Sequence, residues 1–374
     1  MNISSNNLEN NNKIINKEKK AKKKIIDFTK TIPMAFKFMY IGEKYDGLVI
    51  QSTTKNTIEE KIFSALKKAN FLENKSTEEL ISSSNYSRCG RTDKGVSSTG
   101  NIFSLNIRYN ENYNYTKILN NLLPNDINIL NNIIVDDSFD ARFSCLYREY
   151  KYFFIKENLN IDIMKKACEL LKGVHNFKKF CKIDKSDENW ENKNYERRIY
   201  EIDIKKVDDI NFNLFNNEEY YSCYYCIIKG SAFLWHQVRC IMSILFLIGN
   251  EQEEISIINE MLNVPLNNNK EFFYNLADEK NLVLTDCVFE FYNFQSNNEE
   301  NSCESYFKLE KLYKNNLINN MINLHSIKIL INNNNVFFKE INFNNIFKKI
   351  NNQRKIKKYT KMLNIKKNRN NKHN

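Results

Sequence analysis

The chain has 374 residues, 42% hydrophobic and 13% aromatic, enough for one large core or two modest ones. No apolar run approaches the ~18 residues of a membrane span, and the Lys-rich start lacks the apolar segment of a secretory signal. The formal charge of +11 sits in the ends: residues 1–30 carry +5 and residues 341–374 carry +11, which leaves −5 between them. Nine cysteines, an odd number, fit reduced thiols in an intracellular protein of the nucleus or cytoplasm. An address to the nucleus or an organelle within Lys17 to Lys24 is compatible with that reading. The basic ends read first as solvated tails and second as phosphate-binding arms.

Along the chain, residues 1–33 read as a basic polar extension, expected to be disordered. Met34 to Ile41 is short and apolar-aromatic, as a strand requires, and Asp46-Gly47 marks a turn. Ile58, Ile62, Phe63, Leu66 and Ala69 recur at helical spacing; Thr57 before them and Glu60 three residues on predict a capping box. Asn101 to Arg108 alternates like a strand, and Arg148 to Ile155 is aromatic and strand-like. Ile163, Met164, Ala167, Leu170 and Leu171 share a helical face that Gly173 is expected to stop at the C′ position. A strand over Tyr220 to Gly230, an apolar helix from Trp235 to Ile248 ending at Gly249, and a strand over Leu282 to Phe291 follow. Cys223 and Cys226 fall three apart in a strand, hence on opposite faces, so they make no metal or redox pair. Runs of Asn, such as Asn332 to Asn335, read as low-complexity loop and tail insertions. Strands and helices mix without a βαβ rhythm, which predicts α+β: a largely antiparallel mixed sheet flanked by helices.

The chemistry concentrates in Ser87-Arg88-Cys89-Gly90-Arg91-Thr92-Asp93-Lys94-Gly95-Val96-Ser97. Two glycines bracket Arg-Thr-Asp, so the backbone can turn tightly and lie close to a ligand. A carboxylate beside arginines stays ionised and can act as nucleophile or base. An isolated Asp-Lys-Gly would be an ordinary turn. Arg239 precedes the apolar run Cys240 to Ile248, so its charge needs a partner, and Asp93 is a good candidate. Tyr150, in an aromatic strand, reads by spacing alone as core. None of the four histidines is assigned a role.

The Gly90-Arg91-Thr92-Asp93-Lys94-Gly95-Val96 string resembles a motif of the TruA family of tRNA pseudouridine synthases. Phe139-Asp140-Ala141-Arg142-Phe143-Ser144 with Arg148-Glu149-Tyr150-Lys151-Tyr152, then Gly230-Ser231-Ala232-Phe233-Leu234-Trp235-His236-Gln237-Val238-Arg239, then Leu282-Val283-Leu284, resemble further family blocks in the same order. The likeness spans roughly residues 34–292, and the fuller spellings of the first and third blocks are similar to the eukaryotic branch that modifies uridines 38 and 39 of the tRNA anticodon arm. It implies a pseudouridine synthase fold with two ferredoxin-like subdomains, residues 34–160 and 161–294, around an RNA-binding cleft; by composition, residues 295–374 read as an Asn/Lys-rich, partly helical appendage. It also implies a homodimer acting on tRNA without cofactor or metal. Asp93 would attack the target nucleotide, Tyr150 would stack on the base and act in the last proton transfer, and Arg239 would pair with Asp93. Arg91, and Arg88 beside it, would contact RNA, and Leu282 would pack on the uracil. Asn281 stands where many members have Gly, and Asp184 to Glu196 is a hydrophilic departure. Competing readings are a family synthase with another uridine target and an inactive RNA-binding protein.

Overall fold

The computed structural model describes residues 26–333 except 185, 187–189, 191, 208–221, 264–271, 273 and 295–298. The basic tail 341–374 and the extension up to residue 25 lie outside the described residues. Among these, nine strands form one sheet. They are β1 (Thr31–Tyr40), β2 (Ser87–Arg88), β3 (Ser97–Arg108), β4 (Ile127–Ile134) and β5 (Cys145–Ile155), followed by β6 (Gly173–Asn176), β7 (Glu196–Lys206), β8 (Cys223–Gly230) and β9 (Leu282–Phe289). The order is β4-β1-β3-β9-β5-β8-β7-β6, with β2 paired to β3. The pairings are antiparallel except that of β3 with β9, where Ser97 and Ser98 lie parallel to Val283 and Leu284. The helices are α1 (Ile58–Lys68), α2 (Thr77–Ser83), α3 (Tyr115–Leu122), α4 (Ile161–Glu169), α5 (Gln237–Gly249) and α6 (Ser256–Leu262). This is the expected α+β class with a mixed, largely antiparallel sheet.

Alternation along β1 explains why the sheet carries two cores. Met34, Phe36, Phe38 and Tyr40 join Phe103, Leu105 and Ile107 of β3 and the apolar faces of α1, α2 and α3 in one core, where Phe36 and Phe103 stack at 5.0 Å. Ala35 and Ile102 point the other way, into a second core. That second core is built from β5, β7, β8 and β9 against α4, α5 and α6. Beyond its first turn, helix α5 is apolar except for Ser243, and Ile241, Met242 and Leu245 are fully buried, as in a helix enclosed by core.

Several local expectations shift. Strand β1 begins at Thr31, inside the segment expected to be disordered, because Thr31 to Asn106-facing Pro33 pair with the end of β3. Thr57 caps α1 through the Glu60 amide at 3.3 Å, while the reciprocal capping box forms at Ser76 and Glu79, ahead of α2. Helix α4 ends at Glu169, and Gly173, with φ of 101°, opens β6 instead of closing the helix. Strand β3 starts at Ser97, four residues before its alternation becomes legible. All eight cysteines whose side chains are described are free thiols; Cys226 is buried and Cys223 half-buried. Among the described residues, no helix is long and apolar enough to cross a membrane.

The chain divides into two units, Met1–Lys308 and Leu309–Asn374. The described part of the second belongs to a long helix, α7 (Glu299–Asn333), with largely exposed side chains there.

Candidate active site

The loop from Cys89 to Val96 joins β2 to β3, and its backbone is held at several points. Cys89 donates to Ile102 O at 2.8 Å, which prolongs the ladder by one rung. Beyond it the side chain of Asn101, fully buried, takes the place of a strand: its Oδ1 accepts from Gly90 N at 3.0 Å and its Nδ2 donates to Gly90 O at 2.9 Å. Glycine at position 90 leaves room for Leu284: a Cβ there would lie 2.5 Å from Leu284 Cδ2 and push that side chain aside. Thr92 is held by its hydroxyl, 2.7 Å from Tyr40 OH, and by its carbonyl, which accepts from Leu48 N at 3.1 Å. Asp93 O accepts from Val96 N at 3.2 Å, closing a turn in which Gly95 takes φ of 81°. The outcome is a fixed backbone that leaves the Asp93 side chain 33% exposed.

Asp93 Oδ2 lies 3.2 Å from His236 Nε2. The expected partner, Arg239, is engaged elsewhere: Nε donates to Ala277 O at 2.7 Å and Nη2 to Glu279 Oε2 at 2.6 Å. Arg239 needs a carboxylate, as its burial in α5 requires, but the segment just before β9 supplies it. Tyr150 on β5 lies between Ile228 of β8 and Leu284 of β9, is buried, and meets Phe233 edge-on at 5.1 Å. Burial pushes its phenol well above the ordinary tyrosine range, so it stays protonated. Arg91 is exposed next to Asp93, and among the described residues no carboxylate lies within ion-pair distance of it. Arg88, expected at the RNA, is instead half-buried and ion-paired with the buried Glu59, with Tyr86 under its guanidinium at 5.1 Å. Leu282 opens β9 opposite Tyr152 and is buried in the second core, while Leu284, two residues on, lies against Gly90.

Arg148 carries more than its place in the Arg-x-Tyr-x-Tyr block indicates. Its buried guanidinium donates to Ser231 O at 2.7 Å, to Cys89 O at 3.3 Å and to Arg142 O at 2.5 Å. One side chain thus ties together three of the sequence blocks, the Asp93 loop included. The signal for it was present, an arginine in an aromatic strand, but its acceptors are backbone carbonyls and leave no mark in a sequence.

Residues 167–290 match the family described as tRNA pseudouridine synthase. Relatives include the tRNA pseudouridine(38/39) synthases of Bos taurus, 41% identical over 69% of this chain and 55% of the relative, and of Saccharomyces cerevisiae, 36% identical over 73% and 61%. The probable tRNA pseudouridine synthase tag-124 of Caenorhabditis elegans is 34% identical, with 73% of this chain matching 71% of that one. The chain belongs to the TruA family of tRNA pseudouridine synthases. It spans little more than half the length of the mammalian relatives. A solved archaeal box H/ACA sRNP Nop10-Cbf5 complex aligns over 57% of this chain and 43% of that one at 9% identity and a TM-score of 0.26, too slight a likeness to carry an argument. Within this TruA-family chain, Tyr150 lies in the second core on β5, Arg239 sits in the first turn of α5, and Asp93 meets the residue that opens α5, His236.

Proposed function

We propose that this chain isomerises uridine to pseudouridine in tRNA, at positions 38 and 39 of the anticodon arm, with Asp93 as the nucleophile. The observation that carries the reading is the Asp93 carboxylate, partly exposed on a backbone locked by Asn101, Tyr40 and Leu48. A fixed nucleophile makes attack nearly unimolecular once the nucleotide is bound. The reaction balances within one substrate: the N1–C1′ bond breaks, the uracil turns, C5 bonds to C1′, and the C5 proton leaves to solvent while N1 gains one. Attack at ribose or at base gives the same balance. As an isomerisation it needs no oxidant, reductant or group donor. The target base must leave its stack, at a cost of a few kcal/mol. The exposed aromatics Phe143 and Trp235, on the same blocks as Arg142 and His236, are suited to stack on unpaired bases. The names of the relatives support the position, and the family supports a homodimer, which sedimentation of the full chain checks.

The test is release of tritium from tRNA carrying uridine labelled at C5. The wild-type chain should release it, and Asp93→Asn should not, while still binding tRNA. Turnover by Asp93→Asn near the wild-type rate would remove Asp93 from the chemistry. Pseudouridine mapping of cellular tRNA with and without the protein decides the positions; loss at any site other than 38 and 39 points to a different family target.

A further inference from the structure

His236 bears two costs at once. Its backbone is left-handed, φ 61° and ψ 11°, where a non-glycine residue is strained. Its Nδ1 is buried and has no hydrogen-bond partner among the described residues. Neither cost is needed to start α5. The turn before the helix is closed by its own bonds: Gln237 N donates to Leu234 O at 3.1 Å, Gln237 Oε1 accepts from Leu234 N at 2.8 Å, and Cys240 N donates to His236 O at 2.9 Å. Asparagine or glycine would suit the left-handed position better.

What the imidazole does gain is Asp93. Nε2 lies 3.2 Å from Oδ2, within ion-pair distance of the carboxylate. Among the described residues no other charged side chain lies at ion-pair distance from the Asp93 carboxylate, since Arg239, one helical turn on, is turned to Glu279 and Ala277. We propose that His236 is a positioning residue for the nucleophile: its ring, with Nε2 at ion-pair distance from Oδ2 of Asp93, holds that oxygen to one side and leaves Oδ1 to attack. The proposal rests on Asp93 being the nucleophile. The left-handed backbone at position 236 is what brings the ring to that oxygen.

His236→Gly separates the imidazole from the turn, because glycine accepts the backbone and removes the side chain. Single-turnover tritium release should fall about 10- to 100-fold, the cost of a misplaced reacting group, with tRNA affinity within about twofold of wild type. The melting temperature should not drop. Added free imidazole should restore part of the lost rate in the Gly variant and none in Asp93→Asn. His236→Gln, whose amide N–H can reach Oδ2, should keep more activity than His236→Ala. A wild-type rate in His236→Gly overturns the proposal. So does a loss that comes with a lowered melting temperature and that neither imidazole nor Gln relieves, for then His236 only shapes the turn. Asp93→Asn measured alongside keeps the two ideas apart: activity there sinks the nucleophile and this proposal with it, whereas a dead Asp93→Asn beside a fully active His236→Gly sinks this proposal alone.

Discussion

At the scale of residues, the site depends on groups whose burial fixes their protonation. Tyr150 keeps its phenol proton, and its hydroxyl has no hydrogen bond to another described residue. Tyr150→Phe should therefore leave stability within about 0.5 kcal/mol. If the hydroxyl handles the last proton, turnover should fall by about 100-fold or more at unchanged tRNA affinity, as for a lost general acid or base. Urea titration and single-turnover kinetics on one preparation check both halves. Glu59 offers a second test. Burial raises its carboxyl above the ordinary value more than Arg88 lowers it, whereas at Arg88 burial, the largest single effect, is outweighed by Glu59 and Tyr86 together. The folded protein thus holds the Glu59 proton more tightly than the unfolded chain does. Its contribution to stability is full below the ordinary value of 4.5 and is lost as pH rises through the higher folded value. Glu59→Gln mimics the protonated form and lacks that loss. The difference in urea midpoint should move in favour of the variant as pH rises through the weakly acid range. A difference that stays flat or moves the other way would mean that the ion pair with Arg88 dominates.

At the scale of elements, side chains of asparagine replace missing strands and turns. Asn101 gives Gly90 both an acceptor and a donor, and Asn120 of α3 does the same for Ile129 of β4, at 2.7 Å and 2.9 Å. Asn101→Leu strands both polar groups of Gly90 in the core. It should cost about 1–3 kcal/mol for each and lower turnover through the Asp93 loop; chemical denaturation and tritium release measure the two. These asparagines also explain what the sequence hid. Helices α1, α4 and α5 and strands β1, β5 and β9 have apolar residues at the period of their element, so they were legible. Strand β4 reads Ile-Asn-Ile-Leu-Asn-Asn-Ile-Ile, and α3 contains Asn120 and Asn121. Both look like low-complexity insertion, yet Asn120 and Asn128 are buried. Helix α2, seven residues long, is too short for a periodic face to declare itself. The Asp93 loop was legible because its string is local. The partners of Asp93, Arg239 and Arg88 were not, because each choice is made between segments tens to hundreds of residues apart.

At the scale of the molecule, the charge of the ends stands against −5 in the chain between them, while the proposed substrate is a polyanion. Deleting residues 341–374 should weaken tRNA binding at low salt and flatten the fall of log affinity with log salt, since fewer counterions are released. Single-turnover rates at saturating enzyme should stay unchanged. Superimposable salt slopes for the full and shortened chains would mean that the tail does not touch RNA. The place of β9 has a consequence of another kind. It lies between β3 and β5, yet it is made about 185 residues after β3 begins. At ~5–20 residues per second, a ribosome takes roughly 10–40 s to deliver it. Through that interval the Ser97-Ser98 end of β3 lacks its β9 partner, and Gly90 lacks the Leu284 side chain that packs against it. Assembly is therefore slow and dominated by distant contacts. A chain released early, anywhere before Leu282, ends with an open sheet and an unsupported Asp93 loop, so premature termination yields an aggregation-prone species rather than a weakly active enzyme.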